Sequence, residues 1–158
     1  MQYRVGFGYD VHRLDEGRSF KLGGVAIDHH KGPVGHSDAD VLIHAICDAL
    51  LGAAALGDIG QHFPDSSEEY KGINSLLLLE RTIGMIGEAG YSINNIDATI
   101  CLEKPKIHTY IEDMRSALSF AMGIEREQIS VKATTEEKLG FTGREEGVAA
   151  YAVALIWK

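Results

Sequence analysis

The amino-acid sequence predicts an α+β domain of two layers, in which a mixed sheet carries helices on one face. Three observations predict it. Strand-like and helix-like segments interleave in the order β-β-α-α-β-α-β-β, with too few strands for a doubly wound sheet. Three segments repeat apolar residues at helical spacing between capping signals. The last strand, Val148 to Ile156, is apolar on both faces, so both faces need cover. That cover is either the interior of the chain itself or a second copy of the protein, which points to a homo-oligomer joined through the face that the helices leave free. A length of 158 residues suits one domain spanning 1–158.

Each element follows in turn. Residues 2–10 read as a strand with glycines at 6 and 8. Phe20 to Ile27 reads as a second strand broken by Gly23-Gly24, and His29 to His36 as a loop. Ser37-Asp38-Ala39-Asp40 resembles a capping box ahead of an apolar helix from Val41 to Leu51, ended by Gly52 or extended to Gly57. Asp58 to Ser67 is a loop by its Gly, Pro, Asp and Ser content. A second helix runs from about Asn74 to Glu88, with Gly90 as its C-terminal cap. Ile93 to Leu102 outlines a strand with imperfect alternation at its start, stopped by Pro105. Ile111, Met114, Leu118 and Met122 set a third helix over about Thr109 to Met122, closed by Gly123. Ile129 to Lys132 and Val148 to Ile156 complete the sheet.

Composition narrows the function. The chain is 45% hydrophobic and 24% charged, which supplies a core and solubility, and no apolar run approaches the ~20 residues of a membrane span. Neither a signal peptide nor a transit segment is legible at the N-terminus. A net charge of −8 argues against nucleic acid or an acidic membrane surface as partner. It leaves room for a phosphorylated small molecule, because a metal ion can supply local positive charge. The two cysteines, Cys47 and Cys101, lie in apolar runs and read as buried thiols in a reducing compartment, the cytoplasm.

The chemistry centres on Asp10, His12 and His44. Residues two apart on a strand share a face, so Asp10 and His12 project together. His44 lies in the first turns of the strongest helix. Two imidazoles and a carboxylate on two rigid elements suit a divalent transition metal with one position left open. By spacing alone, a helical histidine such as His44 is more often an ordinary core or surface residue.

Longer stretches are more specific. Gly8-Tyr9-Asp10-Val11-His12, Gly35-His36-Ser37-Asp38-Ala39-Asp40, Gly57-Asp58-Ile59-Gly60, Phe63-Pro64-Asp65, Lys132-Ala133-Thr134-Thr135 and Glu137 to Arg144 run co-linearly along nearly the whole chain. Together they resemble the 2-C-methyl-D-erythritol 2,4-cyclodiphosphate synthase family. The resemblance implies a homotrimer of α+β subunits with active sites between neighbours, one Zn²⁺ per subunit and a Mg²⁺ or Mn²⁺ ion. It implies a cytidine diphosphate substrate, 4-diphosphocytidyl-2-C-methyl-D-erythritol 2-phosphate, closed to the 2,4-cyclodiphosphate with release of CMP in the non-mevalonate isoprenoid pathway. The attacking group is then the substrate's own ionised 2-phosphate, and positioning plus electrostatics carries the catalysis.

The resemblance also implies roles. Asp10, His12 and His44 match the zinc ligands and Glu137 the ligand of the second ion. His36 and Thr135 match transition-state stabilisers; their plainer readings are a loop histidine capping a helix and a strand-end threonine. Ser37 splits between helix cap and phosphate contact. Val11, Asp58, Ile59, Gly60 and the Phe63, Pro64, Asp65, Ser66, Ser67 loop match the pocket of the erythritol and its phosphates. Lys106, Ala133 and Thr134 match positions around the nucleotide, and Glu136 a substrate-binding position. Ser66-Ser67 departs from the family pattern, as do residues 100–103 near the base. Phe141 and Arg144 match an inner trimer cavity where an isoprenoid diphosphate can sit; Arg144 reads equally as an ion-pair partner of Glu145 or Glu146. Asp48, one turn after His44, is read as an acceptor supporting its imidazole, and His29, His30, His62 and His108 as solvated loop residues. Two other readings fit parts of the pattern: a non-heme iron enzyme, and a non-catalytic trimeric module binding nucleotides or isoprenoid diphosphates.

Overall fold

A computed structural model describes residues 1–158. Its centre is a five-stranded mixed sheet in the order β4-β1-β7-β5-β6. The strands are β1 (Tyr3–Glu16), β4 (Lys31–Pro33), β5 (Ser92–Cys101), β6 (Ile129–Thr134) and β7 (Gly147–Trp157). β5 and β6 are parallel and every other pairing is antiparallel. β2 (Phe20–Leu22) and β3 (Val25–Ile27) form a separate hairpin. Phe20 to Ile27 is therefore two strands folded across Gly23-Gly24, both of which have positive φ. β4 falls inside the predicted loop His29–His36. Its Lys-Gly-Pro sequence carries no strand signal, and it exists through pairing with Leu14 to Glu16. β1 accordingly runs six residues further than its alternation suggested.

Helices α1 (Val41–Ala53), α3 (Ser75–Glu88) and α4 (Ile111–Met122) cover one face of the sheet, with single turns α2 (Ile59–His62) and α5 (Gly140–Gly143) in the connections. α1 lies against β1 and β7 with α3 above it, which explains why nearly all its side chains are apolar. Gly6 and Gly8 make that seat possible. A Cβ on Gly8 would stand 1.9 Å from the carbonyl oxygen of Ala45, and one on Gly6 1.9 Å from that of Ala49. Leu42, Ile46 and Leu50 fill the space between layers with Leu79, Ile86, Met114, Leu118, Ile96 and Ile100.

The N-cap of α1 is Asp40 rather than Ser37. Its fully buried carboxylate accepts from Ile43 N at 3.1 Å, Gly23 N at 2.9 Å and Gly24 N at 2.7 Å, so one side chain caps the helix and anchors the β2–β3 hairpin. The left-handed φ of +56° at Ala39 delays the helix past Ser37. The other face of the sheet has no helix. Val5 and Phe7 of β1, at 68% and 61% exposure, lie there beside Tyr9, Val11, Tyr151 and Val153. The two apolar faces of β7 thus have different fates, one buried under α1 and one open.

Candidate metal centre and adjoining cavity

Alternation along β1 turns Asp10 and His12 to the helix-covered face, and the glycine seat lowers α1 far enough for His44 to reach them. Oδ2 of Asp10 lies 2.9 Å from Nε2 of His12 and 3.0 Å from Nδ1 of His44, and the two nitrogens are 3.3 Å apart. A tetrahedral zinc with bonds of ~2.0–2.1 Å spaces its ligand atoms ~3.3–3.4 Å apart. The triangle of donor atoms is close to that size. The remaining ring nitrogens are engaged as metal-binding imidazoles require. Nδ1 of His12 donates to the carbonyl of Val34 at 2.9 Å, and Nε2 of His44 meets the hydroxyls of Ser75 at 2.9 Å and Ser37 at 3.2 Å. Donor type, spacing and outer contacts all fit a divalent transition metal.

The electrostatics agree. Burial works against the charge on Asp10, but hydrogen bonds and attraction from His12 and His44 outweigh it and hold its pKa at about 2. Burial likewise opposes a charge on His12, yet its contact with Asp10 raises its pKa above the ordinary value. A carboxylate kept ionised at neutral pH between two imidazoles is a concentrated cation site.

The trio forms part of the wall of a cavity of about 370 Å³. His36, Ser37, Asp48, Ile59, Gly60, Phe63 and Asp65 line it too, so each of the first four sequence motifs sends residues here. Gly35 completes this side, where a Cβ would press to 2.9 Å on the Cβ of Ala39 and 3.1 Å on the His12 ring. His36 donates from Nε2 to the carbonyl of Ser67 at 3.1 Å, and its own carbonyl accepts from Gly72 N, tying it to the loop opposite. Asp58 caps α2 and holds Gln61 through both oxygens, while Pro64, Ser66 and Ser67 do not line the cavity.

Other residues lie elsewhere. Thr134 pairs with Cys101, Cys101 with Ala149 and Ala149 with Val11. Thr134 is thus level with the metal ligands but three strands away, about 14 Å at ~4.8 Å per strand. Ala133, Glu136 and Glu137 are exposed at that edge, as is Lys106 after the cis Lys104–Pro105 bond. Thr135 Oγ1 donates to Glu137 at 3.3 Å, and Glu137 and Lys138 both hold positive φ. Phe141 borders a second hollow with Val11, His12 and Gly147, and Arg144 pairs with Glu146 at 3.0 Å.

Two readings need correction. Asp48 does not support His44: its Oδ1 accepts from Ile59 N at 2.7 Å, fastening α2 to α1. Ser75, which sequence reasoning missed, takes that place, 31 residues away and without a motif. His62 is no free loop residue either, since Nε2 donates to the carbonyl of Leu56 at 2.7 Å, and His29 is half-buried. Tyr70 and Leu78 also line the cavity unannounced. Cys47 and Cys101 are buried free thiols, as read.

Comparison with known proteins adds four findings. The model of the YgbB family matches residues 3–157. A Bacteroides fragilis protein named 2-C-methyl-D-erythritol 2,4-cyclodiphosphate synthase is 60% identical over 156 residues, which are 99% of this chain and 98% of that one. The structure of the bifunctional IspDF from Campylobacter jejuni superposes with a TM-score of 0.95 at 40% identity, covering 98% of this chain and 42% of that longer one. The Plasmodium falciparum IspF complex with CDP gives 0.85 at 34% identity, covering 98% and 95%.

Proposed function

The chain belongs to the YgbB family, and from that membership we infer that it converts 4-diphosphocytidyl-2-C-methyl-D-erythritol 2-phosphate to 2-C-methyl-D-erythritol 2,4-cyclodiphosphate and CMP. An oxygen of the 2-phosphate bonds to the β-phosphorus, the bond from that phosphorus to the bridging oxygen breaks, and CMP leaves with the electron pair. The protein is then a phosphorus–oxygen lyase of the non-mevalonate isoprenoid pathway, with residues 1–158 as one synthase domain. The observation that carries the reading is the convergence of Asp10, His12 and His44 on the wall of a cavity, in a chain 60% identical along its length to a named synthase.

Asp10, His12 and His44 would hold Zn²⁺, one per subunit, and Glu137 a Mg²⁺ or Mn²⁺ ion. When bound, such ions supply Lewis acidity and offset the repulsion between crowded phosphates. The chain's own work is binding and orientation. His36 and Ser37 contact phosphate oxygens, and Asp58, Ile59, Gly60 and the Phe63 to Ser67 loop receive the erythritol. Lys106, Ala133 and Thr134 hold the nucleotide, Glu136 contacts the substrate, and the Thr135 hydroxyl steadies the transition state. No side chain need act as base, because the attacking phosphate is already ionised.

These groups belong to one site only if subunits share it. The ~14 Å between Thr134 and β1 supports a cavity wall from one subunit facing the Thr134–Glu137 edge of the next. The open apolar face of β1 and β7 supports trimerisation there. Phe141 and Arg144, with Val11 near by, would then face an inner hollow suited to an isoprenoid diphosphate. Free buried thiols suit the cytoplasm, and no helix is long and apolar enough to cross a membrane. The test is direct: substrate and Mg²⁺ are incubated with the protein, with and without chelator, and CMP is followed by chromatography. CMP that accumulates only without chelator supports the reading; its absence in both arms refutes it.

A further inference from the structure

Two side chains outside the ligand trio, neither of them assigned to substrate, form a chain of hydrogen bonds behind His44. Ser75 is fully buried at the first residue of α3, and its Oγ lies 2.9 Å from Nε2 of His44. On its far side the Ser75 hydroxyl contacts Oδ1 of Asp38, while Oδ2 of Asp38 accepts from Ser75 N at 3.1 Å. The backbone reinforces the link, since Asp38 N donates to the carbonyl of Ile73. Lys21 stands 3.9 Å from the same carboxylate.

The direction of the chain follows from what each group can do. An ionised carboxylate only accepts, so the Ser75 hydroxyl must give its hydrogen to Asp38. Its oxygen is then left to accept, and the group facing it is Nε2 of His44, which must be a donor. The nitrogen left to act as ligand is Nδ1, which is the one turned toward Asp10 and His12. Ser37, the other hydroxyl at Nε2, already accepts from Ala39 N at 3.2 Å. Its own hydrogen is therefore directed by no carboxylate. We propose that Ser75 and Asp38 are positioning residues that select Nδ1 of His44 as the metal-binding nitrogen and fix the plane of its ring. The inference rests on the reading of Asp10, His12 and His44 as a divalent-cation site. It gives α3 a direct part in that site, although none of its side chains touches the cation.

The experiment measures Zn²⁺ affinity by chelator competition in the wild-type protein and in Ser75→Ala, Asp38→Asn and His44→Ala, with circular dichroism as the check on folding. Ser75→Ala removes the acceptor, and Asp38→Asn turns an amide NH₂ toward one of the two Ser75 donors. Each should weaken Zn²⁺ binding by ~10–100-fold, the usual effect of losing such a support. NMR of the zinc-loaded, histidine-labelled protein provides a second readout. The Nε2–H of His44 should exchange slowly with water in the wild type and rapidly in both variants. Zinc affinity within twofold of wild type in Ser75→Ala, with His44→Ala having lost the metal, overturns the positioning role alone. Wild-type zinc affinity in His44→Ala overturns the cation site, and the positioning role with it. Should Ser75→Ala fail to fold, Asp38→Asn decides by the same criteria.

Discussion

Gly8→Ala tests the link between packing and chemistry. The new methyl would begin 1.9 Å from the carbonyl oxygen of Ala45 and 2.7 Å from the backbone nitrogen of Ala49. Both are backbone atoms of α1, so no side chain can swing aside. To restore even a 3.0 Å contact the helix must retreat by about 1.1 Å, or β1 must bend by as much. Overpacking of this kind costs ~1–3 kcal/mol, and backbone on both sides places Gly8→Ala at the upper end, near 3 kcal/mol. The same retreat carries His44, the residue before Ala45, away from Asp10 and His12. Metal–ligand distances tolerate ~0.2 Å, several times less than the displacement. Urea unfolding and Zn²⁺ titration on one preparation should therefore show lost stability and weakened metal binding together. A Gly8→Ala protein with wild-type zinc affinity would refute the idea that the glycine seat positions the third ligand.

Asp40→Ala strips acceptors from three backbone N–H groups, two on the hairpin and one in α1. At ~1–3 kcal/mol for each buried donor left unpaired, urea unfolding should show a loss of at least ~3 kcal/mol. In the metal-free protein the Asp10–His12 pair makes stability depend on pH in a definite sense. Asp10 titrates at about 2 instead of 3.8, so its contribution of about 2 kcal/mol is complete above pH 3.8 and lost as pH falls through 2. His12 is shifted upward, so its contribution is complete below pH 6.5 and lost as pH rises through its folded value. Thermal melts should thus show the pair at full strength between about pH 4 and 6.5, and Asp10→Asn should flatten both sides of that window. A shared active site predicts complementation: His44→Ala and Glu137→Ala, each inactive alone, should regain CMP release when co-expressed as mixed trimers, and no recovery would argue for sites within single subunits.

What the sequence disclosed and what it withheld divide along physical lines. The helices at 41–53, 75–88 and 111–122 were legible because apolar spacing and end signals agree, β5 because its apolar residues alternate from Ile96 to Leu102, and β7 because it is apolar on both faces over a strand's length. The poor alternation at the start of β5 is a register shift between Ile93 and Asn95. β4 was not legible because its partner, not its residues, makes it a strand. Asp10 and His12 share a face by alternation alone, so that half of the site could be read directly. His44 joins them only through a close approach of strand and helix that two glycines permit, which spacing does not reveal. Asp48 was misassigned because helical periodicity says which residues neighbour His44 but not which backbone donor a carboxylate will choose. Ser75 stayed hidden because its link to Asp38 spans 37 residues without local pattern.

Anomalous diffraction from crystals of the zinc-loaded protein, recorded on both sides of the zinc absorption edge, locates the metal itself. One strong peak per subunit is expected, within bonding distance of Oδ2 of Asp10, Nε2 of His12 and Nδ1 of His44. Zinc bound through other residues, with this triangle left empty, would contradict the ligand assignment.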